Sequence, residues 1–269
     1  MTSIIGYIEN FIASREDQRV SGWLFVSSFW PTINIILIYL TSIYIVLPIF
    51  MKNREPYKLN TILKFYNIFQ IITCAFIVYW CLTSGWIQGD FTIGCQAVDY
   101  SSSPRALSLL QGFQWAYFLK ITELLETVFF VLRKKNKQVT KLHVYHHSST
   151  LIMNYFICRF VGGGMASVTV IINSLVHILM YTYYYLASLG PAWQKPLEKW
   201  KPRLTIVQMI QFTLLLLHSL TLLQNCGGPR SFLLVYIPNM IFIYKMFYDF
   251  YKKNYTCSKL SVALSQILS

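Results

Sequence analysis

The stretch Phe29-Trp30-Pro31-Thr32-Ile33-Asn34-Ile35-Ile36-Leu37-Ile38-Tyr39-Leu40-Thr41-Ser42-Ile43-Tyr44-Ile45-Val46-Leu47-Pro48-Ile49-Phe50 contains no charged residue. A helix needs about 20 predominantly apolar residues to cross the hydrocarbon of a bilayer, so this run reads as a membrane span. Six more follow, over about Ile62 to Trp86, Ala106 to Leu132, Leu142 to Ile157, Met165 to Ala187, Leu204 to Leu223 and Phe232 to Tyr251. The whole chain is 55% hydrophobic and 17% aromatic, and only 12% of it is charged, well below the share usual in soluble domains. These counts predict an all-α membrane protein with seven transmembrane helices. No internal repeat, Gly/Ser linker or low-complexity tract divides residues 1–269, which read as one domain.

The start of the chain mixes Glu9, Glu16 and Asp17 with Arg15 and Arg19, unlike the basic start of a cleavable signal peptide, so residues 1–28 read as a retained tail. Lys and Arg concentrate in alternate loops: Lys52, Arg54 and Lys58 after the first run, Arg133, Lys134, Lys135, Lys137 and Lys141 after the third, and Lys195, Lys199, Lys201 and Arg203 after the fifth. Lys252, Lys253 and Lys259 lie in the tail 252–269, whereas Arg105, Arg159 and Arg230 stand alone in the other loops. Positive loops stay cytoplasmic, which predicts a lumenal N-terminus and a cytoplasmic C-terminus. The net charge of +13 is therefore spread over four membrane-flanking segments, a distribution suited to anionic lipid headgroups and to a phosphate-rich ligand such as coenzyme A rather than to nucleic acid.

Six cysteines are too few and too scattered for a disulfide scaffold or a paired zinc site. Cys95 and Cys226 both fall in loops on the oxidising side, and a disulfide between them is allowed. Gly162-Gly163-Gly164 marks the turn between the fourth and fifth runs.

Ionisable groups inside spans cost enough that they face a protein interior or a water-filled cavity. Lys120, Glu123 and Glu126 recur every three residues in the third run; His143, His146 and His147 share one face of the fourth; Asn173 and His177 are one turn apart in the fifth; Gln208 and Gln211 lie in the sixth. At ~1.5 Å rise per residue, His146 and Gln208 lie roughly 6 Å, Glu126 about 9 Å and His177 about 15 Å from the cytoplasmic edge. Four helices thus carry polar groups into one half of the membrane. The bland alternative is hydrogen bonding between helices, which suffices for His218, alone in a Leu-rich stretch.

Histidines at i, i+3 and i+4 suit a metal. Di-iron membrane oxidases repeat such boxes to about eight histidines, and this chain has 5; a mononuclear zinc site stays open. The other chemistry is acid-base or nucleophilic catalysis by imidazole. A seven-span transporter or receptor is the alternative from another class.

The run Lys120-x-x-Glu123-Leu124-x-Glu126-Thr127-x-Phe129-Phe130-x-Leu132-Arg133-Lys134-Lys135 and the box Leu142-His143-Val144-Tyr145-His146-His147 resemble the ELO family of very-long-chain fatty acid elongases. So do Asn173-Ser174-x-x-His177-x-x-Met180-Tyr181-x-Tyr183-Tyr184 and Thr205-x-x-Gln208-x-x-Gln211-Phe212, with Pro56 and Tyr66-Asn67 also in place. The family usually has Asp at the position of Glu126, and the tail lacks its terminal dilysine. The resemblance implies the condensing step of elongation in the endoplasmic reticulum membrane: long-chain acyl-CoA plus malonyl-CoA gives 3-oxoacyl-CoA, CO2 and CoA, without a further cofactor or metal. It also implies six of seven helices around an acyl tunnel, membrane lipids as surroundings, and association with a second copy and with other enzymes of the cycle. In this reading His146 carries the acyl group as an acyl-imidazole, or acts as base in a single step. His143, His147, His177, Asn173 and Glu126 support it, and Lys120, Glu123, Tyr145, Tyr181, Gln208, Gln211, Arg133 and Lys134 contact substrate.

Overall fold

In a computed structural model, residues 15–224, 228 and 230–256 are described, and among them every regular element is a helix. The long elements are α1 (Trp30–Met51), α2 (Asn60–Trp86), α3 (Pro104–Glu123), α4 (Leu125–Leu132), α5 (Lys141–Phe160), α6 (Ala166–Ser188), the short α7 (Pro191–Leu197), α8 (Lys201–Leu220) and α9 (Leu233–Tyr251). Helices α3 and α4 together make the third predicted span, interrupted at Leu124.

Local chemistry sets the ends of the elements that matter most. Ser103 accepts a hydrogen bond from the Ala106 N–H at 3.2 Å and is followed by Pro104, whose missing N–H costs nothing in a first helical turn. Thr140 Oγ1 accepts from the His143 N–H at 3.1 Å and so starts the helix that carries the histidine box.

Among the described residues, five helices are long and apolar enough to cross a membrane: Trp30–Met51, Asn60–Trp86, Ala166–Ser188, Pro191–Leu223 and Arg230–Thr256. Seven such spans were expected. The other two expected spans are helical but are not among them: the third is divided at Leu124 into α3 and the short α4, and α3, α4 and α5 carry Lys120, Glu123, Glu126, His143, His146 and His147.

Packing neighbours form a closed circuit. Helix α2 packs on α3, α3 on α5, α5 on α9, α9 on α8, α8 on α6, and α6 returns to α2. Helix α1 lies outside this ring, against α4 and α5. Polarity follows this arrangement: Leu37 and Ile38 of α1 and Phe65, Ile72, Leu217 and Leu234 of the ring are exposed, whereas Lys120, Glu123, Glu126, His147, His177 and Gln211 are buried. This arrangement suits lipid as the solvent, which cannot hydrate a charged group.

Away from the histidine box, Arg159 ends α5 as a buried anchor. Its guanidinium pairs with Glu16 and donates to the Val26 carbonyl at 2.6 Å, while the Asp17 N–H donates to the Arg159 carbonyl at 2.9 Å. Read from sequence as a lone loop charge, Arg159 instead ties the N-terminal segment to the bundle. Cys95 is disulfide-bonded; Cys226, its expected partner, lies outside the described residues.

The predicted turn at Gly162-Gly163-Gly164 joins α5 to α6. Gly164 has φ +49°, and a Cβ there would sit 2.5 Å from the Ala97 carbonyl oxygen. Backbone cannot retreat as a side chain can, so Gly164→Ala should destabilise the protein by about 1–3 kcal/mol. Thermal unfolding in detergent checks this, and an unchanged midpoint would contradict it.

Candidate active site

Glu123, at the last position of α3, is wholly buried. Lys120, one turn earlier, donates to its two oxygens at 2.8 and 3.0 Å. From α6, His177 Nδ1 comes within 3.1 Å of Oε1, though not aligned as a hydrogen bond, and from α5 His147 Nδ1 lies 3.9 Å from Oε2. One carboxylate therefore gathers an ammonium and two imidazoles from three helices. In a low-dielectric interior such a charge persists only with partners of this kind.

Leu124 keeps right-handed helical dihedrals, so Glu126, three residues on from Glu123, lies on the same side of the span and faces the same cluster, its Oε2 3.7 Å from His147 Nε2. His147 thus lies between two carboxylates. His143 takes a different partner: its Nε2 is 2.9 Å from Thr127 Oγ1, which is itself 2.8 Å from the Tyr39 hydroxyl of α1. Glu126, His143 and His147 bring one ligand atom each to within 4.8 Å of one another, and these are the residues that would hold a metal ion. His143 is already engaged by Thr127.

His146 is set apart from this network. Its ring makes edge contacts with Phe212 of α8 and Phe247 of α9, with centroids 6.3 and 5.8 Å away, and with His147 at 5.4 Å. It lines a narrow cavity to which all six ring helices contribute, through Cys74, Lys120, His146, His177, Gln211 and Asn239 among others. Asn173 lines the same cavity. An unpaired imidazole bordering a cavity, beside a buried cation and a second imidazole, can attack or deprotonate a bound carbonyl compound.

The remaining predicted residues divide. Gln211 is buried at the cavity, whereas Gln208 directs its amide to Met180 Sδ at 3.5 Å. Tyr181 is buried in a ring cluster with Tyr66 and lies 5.8 Å from His177. Tyr145 donates to Asn239 Oδ1 at 2.9 Å, bracing α5 against α9. Arg133 and Lys134 sit at the end of α4, outside the cavity lining. Glu123, read as a substrate contact, is occupied by Lys120 and the histidines and does not line the cavity. Sequence reasoning gave no site role to Thr127, Tyr39, Phe247 or Asn239. Asn239, an amide flanked by apolar residues in the seventh run, carried a usable signal, and Thr127 stood in the run that resembles the family; Tyr39 carried none, since hydroxyls are common in spans.

The model of the GNS1/SUR4 family, ELO, matches residues 24–262. The chain is 38% identical to very long chain fatty acid elongase 7 of Drosophila melanogaster, over 90% of this chain and 74% of that protein. It is 36% identical to very long chain fatty acid elongase 7 of Rattus norvegicus, over 94% and 90%. A very long chain fatty acid elongase of Aedes aegypti is likewise 36% identical, over 96% and 73%.

Proposed function

The chain belongs to the ELO, or GNS1/SUR4, family, and from that premise we propose that it is the condensing enzyme of fatty acid elongation. It joins a long-chain acyl-CoA to malonyl-CoA, giving 3-oxoacyl-CoA, CO2 and free CoA, in a multi-pass membrane setting. The observation that carries the reading is the cavity lined by six helices with His146 and His177 on its wall. An acyl chain needs an apolar, enclosed path, and the thioester needs a nucleophile or base at its head.

The chemistry follows from the positions. An imidazole nitrogen of His146 attacks the thioester carbonyl, the C–S bond breaks, and CoA leaves as a thiol after taking up a proton. Malonyl-CoA then loses CO2, and the electron pair left on carbon attacks the acyl-imidazole carbonyl, forming the C–C bond and returning His146. Lys120, Asn173 and His177 line the same cavity and suit stabilisation of the developing enolate oxygen. Glu123 and Glu126 hold His177 and His147 in place.

The charge of the loops supports a seven-crossing arrangement with the N-terminus in the lumen of the endoplasmic reticulum and the C-terminus in the cytoplasm. The box then opens toward cytoplasmic CoA esters.

The test of the covalent route is acyl-CoA supplied without malonyl-CoA. Free CoA should appear in an amount stoichiometric with enzyme; none released would sink the acyl-imidazole and leave the single-step reaction. Absence of malonyl-CoA-dependent chain extension would sink the function itself.

A further inference from the structure

Glu126 is a buried carboxylate within a membrane span, and among the described residues no Lys or Arg pairs with it. Lys120, the buried ammonium nearby in sequence, is taken up by both oxygens of Glu123. An anion in low-dielectric surroundings is costly without a positive partner. What Glu126 faces instead are imidazoles. His147 Nε2 lies 3.7 Å from its Oε2, and Glu126, His143 and His147 each bring one ligand atom to within 4.8 Å of the others.

His143 and His147 stand four residues apart on α5, the spacing by which one helix face offers two imidazoles to a zinc ion. With Glu126 from α4 they make the set of two histidines and one glutamate that holds zinc while keeping a fourth position open. Ligand atoms around tetrahedral zinc stand about 3.3 Å apart, so side-chain turns of about an ångström close the set. The ligand atoms are free to bind. His147 turns Nδ1 toward Glu123 Oε2 at 3.9 Å, an outer carboxylate that leaves Nε2 for an ion, and of these two nitrogens only Nδ1 is sealed from solvent without a bond. His143 meets the Thr127 hydroxyl through Nε2 alone, so Nδ1 is open and Nε2 can be exchanged. Entry is possible as well, since 10% of the Glu126 side chain stays exposed.

We infer that Glu126, His143 and His147 form a site for one divalent transition-metal ion of the zinc class, and that filling it switches the enzyme off. Imidazole nitrogens select zinc over magnesium or calcium. The bound ion occupies the His147 nitrogen and the Glu126 carboxylate that otherwise support the reactive centre. It also sets a double positive charge next to His146, whose ring is 5.4 Å from that of His147, and so opposes the positive charge His146 gains as it attacks or takes up a proton. The switch rests on the elongase reading; the site does not.

The experiment uses the full-length protein in detergent, stripped of metal by a chelator, dialysed against Zn2+ alone or Mg2+ alone, with bound metal counted. One zinc ion per chain should bind, and no magnesium. Glu126→Gln and His143→Ala should each weaken zinc binding about tenfold or more, while His218→Leu leaves it unchanged. Zn2+ should raise the unfolding temperature of the unaltered protein and not that of Glu126→Gln; comparing each protein with and without zinc separates a lost site from a lost fold. In membranes, zinc at concentrations that fill the site should cut malonyl-CoA-dependent chain extension about tenfold or more, with recovery on adding chelator. Absence of zinc binding, or binding that survives both substitutions, overturns the site. Activity unmoved by a filled site overturns the switch. If the metal-free protein extends no chain, the elongase reading has failed while the binding result stands.

Discussion

His146→Ala should reduce malonyl-CoA-dependent chain extension about a thousandfold or more while leaving the fold intact. The side chain makes ring contacts with Phe212, Phe247 and His147 and no polar contact that the bundle depends on. Its removal deletes the group that would carry or deprotonate substrate, and losses of that size are usual when a nucleophile or base is deleted. The measurement is extension of a long-chain acyl-CoA, paired with release of CoA when malonyl-CoA is withheld. Both should vanish together in the covalent route. Retention of a tenth of the activity would show that another residue does the chemistry, His177 first among those on the cavity wall.

Glu123→Gln should be the most damaging single change to the fold. It leaves the Lys120 ammonium buried without its counter-charge and removes the anion that faces His177 and His147. Breaking one side of a buried pair costs about 3–5 kcal/mol, because the other charge cannot reach water. Replacing both partners, as in Lys120→Met with Glu123→Met, should recover most of that stability, since the apolar pair needs no desolvation. It should not recover activity, because Lys120 faces the cavity. Thermal unfolding of the two single variants and the double variant gives the coupling. Additive losses would show that the pair does not act as a unit.

Much of this was legible without coordinates. The apolar runs marked the helices closely, because a chain in lipid must hide its backbone in helix and can do so only over about 20 residues. The histidine box and the carboxylates of α3 and α4 stood out for a related reason: charged groups are too costly in a span to occur there without purpose. Their partners did not stand out. Glu123 and Glu126 are three residues apart and looked equivalent, yet Glu123 accepts from Lys120 and faces His177 and His147, while Glu126 lies beside His143 and His147. The difference lies in what the neighbouring elements present: Lys120 and His177 reach Glu123, whereas His143 and His147 lie beside Glu126.

His146 and His147 are adjacent in sequence and belong to different worlds in the fold. A helix rotates about 100° per residue, so neighbouring side chains cannot share a face. His147 turns to the carboxylates and His146 to the aromatic rings and the cavity.

The sequence by itself determined the helical membrane architecture, the loop charges and the residue types fit for the chemistry, because each is dictated by the cost of polar groups in hydrocarbon. Only the tertiary structure decided which imidazole faces the cavity, which carboxylate is held by lysine, and which residues of the six helices line the hollow. Those outcomes depend on the closing of six helices into a ring, which brings residues far apart in the chain within a few ångströms and leaves others one position away facing elsewhere.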